Sequence, residues 1–203
     1  MGLSPEERAR VAAAIQAAER RTSGEIVCVL ARTSSDATAL PIFIATVLAL
    51  ALPWALVALT TLSVHEILSI QVLCFGVLAI VLCLPAVRVA LMPRAARRGV
   101  AHRVAMEQFR ARGITRQKDR CGILIFVSLA ERYARIIADE GIAGRVPQAA
   151  WQDAVDVLIS HAREGQLADG FITAIERCAD VLAAHFPATG ERRRDLPDRI
   201  YIL

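Results

Sequence analysis

No acidic or basic side chain occurs between Ala37 and Val64, and none between Ile67 and Val87. An ordinary solvent-facing surface would carry charge over stretches this long, so that reading is excluded for both. Lysine is nearly missing as well: Lys118 is the one lysine, and arginine carries the net charge of +4. Arginine keeps its charge in any environment and pairs bidentately with phosphate or carboxylate. The five cysteines, Cys28, Cys74, Cys83, Cys121 and Cys178, form no CxxC pair and no metal-ligand spacing. An odd, scattered set excludes a disulfide framework and points to reduced thiols in a reducing compartment. The chain has no P-loop, GxGxxG, HExxH or GxSxG motif, and no phosphatase C-x5-R loop follows Cys121. No signal-peptide pattern opens it; Ser4-Pro5-Glu6-Glu7 reads as a helix cap instead.

What is present begins with the two apolar runs. Each is long enough to cross the hydrocarbon core as a helix, which takes about 20 residues. Only His65 and Glu66 interrupt them, so the pair reads as a tight transmembrane hairpin over 37–93. The remainder, 1–36 and 94–203, leaves about 145 residues, the size of one domain with a real core. A domain of that size could not enclose two helices of such length. The two runs also explain a mean hydropathy of +0.45, high for a soluble protein.

Arginine placement sets the orientation. Arg8, Arg10, Arg20, Arg21 and Arg32 precede the first span, and Arg88, Arg94, Arg97, Arg98 and Arg103 follow the second. The connection between the spans has neither Lys nor Arg. The positive-inside rule therefore places both termini in the cytoplasm of a cell whose inner (plasma) membrane the chain crosses twice, with the His65-Glu66 turn outside. Arg94, Arg97, Arg98 and Arg103 read as membrane-flanking charge that sets the topology, with recognition of anionic head groups as the alternative. The basic balance is thus assigned to the lipid bilayer and not to nucleic acid. Pro53, inside the first span, is tolerated there.

The flanking segments read as an α/β domain. Ser4, Pro5 and Glu7 open a helix to about Arg21, with Val11, Ala14, Ile15 and Ala18 at helical spacing. Glu25 to Ala31 is a short β-branched apolar run, the pattern of a strand buried on both faces. Arg94 to Arg112 is helical and ends at Gly113. Gly122 to Leu129 is a second buried strand; after the turn Ala130-Glu131-Arg132, Tyr133 to Ala138 is a third, antiparallel to it. Asp139-Glu140-Gly141 reads as a closing turn. Pro147 opens a helix through Ala162 with Trp151, Val155, Leu158 and Ile159 on one face. Leu167 to Phe186 is the last helix, striped by Phe171, Ile175, Cys178 and Leu182, and Arg199 to Leu203 can add a short strand. The first two strands, joined through a helix, should be parallel, which makes the small sheet mixed.

That topology gathers carboxylates. The N-terminal ends of two parallel strands share a rim with the C-terminal end of the antiparallel third. Glu25, Asp119, Asp139 and Glu140 then come to one edge of the sheet, away from the edge that feeds the spans. Carboxylates delivered by separate loops are the donor type of a hard cation, Ca²⁺ or Mg²⁺. The same residues are also common as solvated turn and cap residues. No residue stands out as catalytic. His102 and His161 are isolated, and Cys121 fits a strand-edge cysteine.

Several stretches together resemble one family: Thr22-Ser23-Gly24-Glu25-Ile26-Val27, the loop Lys118-Asp119-Arg120-Cys121-Gly122-Ile123-Leu124, Asp139-Glu140-Gly141-Ile142, Trp151, and Leu196-Pro197-Asp198. In order and spacing they are similar to the TPM domain (TLP18.3, Psb32, MOLO-1), also called the TPM phosphatase domain, and most of all to a bacterial membrane branch with a hairpin after the first strand. The resemblance implies an α/β/α sandwich and carboxylates, before the second strand and after the third, that hold a divalent metal. It implies either an acid phosphatase activity or an accessory role beside another membrane protein. Arg120 and Cys121 stand where Asp and Asn are typical of the family. Together with the missing catalytic motifs, that departure favours the accessory role. In the phosphatase alternative the metal would polarise a phosphoryl oxygen and activate water.

Overall fold

The computed structural model describes residues 2–33, 39–84, 87, 93–114, 121–188 and 199–203. The chain divides into two compact units, Met1–Ser34 with Val100–Leu203, and Ser35–Gly99. In the first unit, helix α1 (Pro5–Glu19) leads into strand β1 (Glu25–Ala31). After the second unit come α4 (Arg94–Ala111), β2 (Gly122–Ser128), β3 (Tyr133–Ala138), the one-turn helix α5 (Glu140–Ala143), a 3-10 turn (Gln148–Trp151), α6 (Gln152–Arg163), α7 (Leu167–His185) and β4 (Ile200–Ile202). The four strands form one sheet in the order β3-β2-β1-β4. β1 runs parallel to β2 and to β4, and β2 antiparallel to β3, so the sheet is mixed.

The sheet is buried on both faces because its strands are apolar without alternation. Ile26, Cys28 and Leu30 of β1 join Ile123, Ile125 and Val127 of β2 in one core with α1, α6 and α7. The residues between them, Val27, Val29, Leu124 and Phe126, join Ala105 and Phe109 of α4 in a second core. Side chains alternate across a strand, so one continuous apolar run feeds two cores. The result is the α/β/α layering expected. Each helix presents the stripe read from its spacing: Val11 and Ile15 on α1, Val155 and Leu158 on α6, and Phe171, Ile175, Cys178 and Leu182 on α7 are buried. Ser4 closes a capping box with Glu7, and Pro5 sits in the first turn of α1.

Two local joints hold the layers together. The buried Glu19 carboxylate accepts the N–H of Ile26 at 3.1 Å, tying the end of α1 to the start of β1. Gly170 lets α7 approach α6: a Cβ there would lie 2.9 Å from His161 Cβ and 3.3 Å from Leu158 Cδ1. Gly170→Ala should therefore lower stability by about 1–3 kcal/mol through overpacking. A urea titration checks this, and an unchanged midpoint would show that the two helices separate freely.

The second unit contains α2 (Ala39–Leu59) and α3 (Val64–Cys83), which pack on each other. Leu40–Leu59 and Val64–Cys83 are each long and apolar enough to cross a membrane, and only 11% and 6% of them are buried, so neither is a core helix. Their small buried residues, Ala45 and Ala49, lie one turn apart on α2, the close-approach pattern of membrane helix pairs. Hydroxyls within this unit bond back to their own helix: Thr46 to Ile42 O, Thr60 to Leu56 O and Ser69 to His65 O. One expectation is corrected. His65 and Glu66 are not the turn between the helices but the first turn of α3, where Ser63 and Glu66 form a capping box. The Ser-x-x-Glu spacing outranked the charge pair as a boundary signal.

Candidate functional site

The register of the sheet brings three of its strand ends to one rim. Glu25 pairs with Gly122 across β1 and β2. The N–H of Asp139 donates to Gly122 O at 2.9 Å, and the N–H of Glu25 donates to Cys121 O at 3.0 Å. The start of β1, the start of β2 and the end of β3 are therefore consecutive along this edge. Of the four candidate carboxylates, the half-buried Glu25, the buried Asp139 and the exposed Glu140 lie here. Asp119 lies outside the described residues, as do Lys118 and Arg120.

Asp139 is the most informative of them. Asp139-Glu140-Gly141 is not a plain turn: Asp139 is the N-cap of α5, and its Oδ1 accepts the N–H of Glu140 at 2.8 Å. That single bond occupies one carboxylate oxygen. The other, Oδ2, is buried and has no hydrogen-bond partner among the described residues. Asp139 is only 4% exposed. A buried carboxylate oxygen without a partner is costly, so it calls for a donor or a cation. Oxygen donors of this type fit a hard cation. Among the described residues no three His, Cys, Asp or Glu side chains are grouped to hold a metal ion.

The buried cysteines and the two histidines are placed by their surroundings. Burial pushes the Cys28 thiol well above its ordinary range, with Cys178 and Glu19 adding to the effect, and burial raises Cys178 likewise. Neither is a nucleophile at neutral pH. His161 contacts its own helix, with Nδ1 3.0 Å from Val157 O. His102 is not isolated as expected: its Nδ1 lies 3.3 Å from the Tyr133 hydroxyl. Arg97, Arg98 and Arg103 fall on α4 as expected, and Arg94 begins that helix.

Residues 85–181 match the family model of the TPM domain. The chain carries a TPM domain. The match begins beyond α3 and runs through α4, β2, β3, α5 and α6 into α7, so it contains the Asp139 cap and Trp151 but neither α1 nor β1. The fold is shared with a solved structure described as the NMR structure of BA42 protein from the psychrophilic bacteria Bizionia argentinensis sp. nov., at 20% identity and a TM-score of 0.63, covering 100% of this chain and 96% of that one. At that identity the likeness speaks for the fold alone. No curated protein matches the sequence.

The opposite rim of the sheet carries a polar network that the sequence reading missed. The Ser128 hydroxyl at the end of β2 donates to the Glu131 carboxylate, and the Thr33 hydroxyl beyond β1 donates to the same carboxylate at 3.2 Å. Glu131 is 5% exposed. Ser-x-x-Glu across a turn is visible in sequence as a local cap pattern, but Thr33 is 98 residues away and no spacing announces it.

Proposed function

We propose that this protein is a membrane-anchored TPM module, a non-catalytic accessory to another membrane protein, whose acidic rim takes Ca²⁺ or Mg²⁺. The hairpin α2–α3 is the anchor in the cell inner membrane, and the arginines on either side of it keep both termini in the cytoplasm. The observation that carries the cation reading is the buried Oδ2 of Asp139, which has no partner among the described residues. Glu25 borders the same rim, and Asp119 precedes β2 in the sequence. A bound cation would change the charge that this rim presents to a partner.

The accessory role is tested by turnover. The full chain in nanodiscs, assayed on a phosphate monoester with saturating Mg²⁺, Ca²⁺ or Mn²⁺, is expected to show no hydrolysis above the empty nanodisc. Robust hydrolysis that disappears in Asp139→Asn would replace this reading with a metal-dependent phosphatase. Reporter fusions at the C-terminus test the anchor: a cytoplasmic reporter should be active and a periplasmic one silent.

A further inference from the structure

The end of β2 and the start of β3 border a cleft that the cation reading does not use. It is a cavity of about 450 Å³ between the β2–β3 turn and α6, lined among others by Ser128, Leu129, Arg132, Leu158, Ala162 and Arg163. The charge on its wall has one sign, because Arg132 and Arg163 line it and no carboxylate does. Neither arginine makes an ion pair among the described residues. The acid beside Arg132 is committed elsewhere: the Glu131 carboxylate is buried and accepts from Ser128 and Thr33. The backbone adds an independent sign. Arg132 has φ +50°, the one positive φ outside glycine among the described residues. A long side chain held in that conformation is strained, and glycine would sit there without strain.

We propose that this cleft binds a small amphiphilic phosphate. Arg132 and Arg163 take the phosphate head, and the half-buried Leu129, Ile159 and Ala162 cover a short apolar arm. Two guanidiniums match the double charge of a phosphate better than the single charge of a carboxylate, and each can pair bidentately with it. The ligand comes either as a free phosphate monoester or as a lipid head group. The site lies at the other end of the strands from Asp139, so its failure leaves the cation reading untouched, and the reverse.

The test uses the full chain in phosphatidylcholine nanodiscs, titrated with propyl phosphate and, separately, with dihexanoyl phosphatidic acid, followed by calorimetry. Saturable binding to at least one is expected. Arg132→Gly should fold at least as stably as the wild type, since it relieves the positive φ, and should bind about tenfold or more weakly. Arg163→Gln, on the exposed end of α6, should weaken binding comparably. Tighter binding of the phospholipid assigns the site to a head group, and tighter binding of propyl phosphate assigns it to a free ligand. Absence of saturable binding to both, or unchanged affinity in both variants, overturns the proposal.

Discussion

Replacing Trp151 with alanine lowers the stability of the α/β unit by about 3–5 kcal/mol, in the range typical of deleting a buried aromatic. Trp151 is 1% exposed and the largest of the fully buried side chains. It sits at the joint between the 3-10 turn and α6, in the core that also receives α1, α7 and one face of the sheet. Nothing nearby can fill the space, because Phe171, Leu158 and Ile136 are themselves fully buried in that core. A domain holds about 5–15 kcal/mol in total, so the variant should be largely or wholly unfolded at 37 °C. Urea unfolding followed by circular dichroism measures the loss. A change below about 1 kcal/mol would mean that Trp151 does not pack where it is placed.

Alkaline pH produces the second large effect. Cys28 and Cys178 both have thiols raised by burial. In the unfolded chain an ordinary thiol ionises near pH 8.5, so above that pH the unfolded state binds fewer protons than the folded one. Stability contributed by these neutral thiols is therefore complete below about pH 8.5 and is lost as pH rises further. Each thiol that stays neutral in the fold then steepens the alkaline loss toward about 1.4 kcal/mol per pH unit. Cys28→Ala with Cys178→Ala lowers stability at neutral pH by opening space in the core, but it should flatten the alkaline limb. Urea midpoints at pH 7.5, 9 and 10 separate the two effects. An alkaline slope as steep in the double variant as in the wild type would show that other groups control it.

The layers of the fold were legible because burial is written into the strands. Glu25–Ala31 and Gly122–Ser128 are apolar without alternation, and only a sheet covered on both faces accommodates such runs. The parallel pairing followed from the helix between them and the antiparallel one from the short turn before Tyr133. Helix starts were legible where a cap signalled them, as at Ser4. They were less so at Pro147, where the chain makes a 3-10 turn through Trp151 before α6 begins at Gln152. The acidic rim was legible as a neighbourhood only. Strand direction brings Glu25, Asp139 and Glu140 to one edge, but nothing in Asp-Glu-Gly announces that Asp139 spends one oxygen on a helix cap and buries the other. Side-chain direction at strand ends depends on packing from distant elements, which is also why the link from Thr33 to Glu131 was missed.

The cation at the acidic rim is tested most directly by titrating the full chain in nanodiscs with Ca²⁺ and with Mg²⁺ and recording Tm beside calorimetric binding. One site should saturate with at least one of the two ions. At a free ion concentration about 100-fold above Kd, binding should stabilise the fold by about 2.7 kcal/mol, seen as a rise in Tm. Asp139→Asn should remove both the heat of binding and the rise while leaving the metal-free protein folded. Wild-type protein that shows neither binding nor a change in Tm with either ion, or an Asp139→Asn variant that binds as the wild type does, would contradict the account.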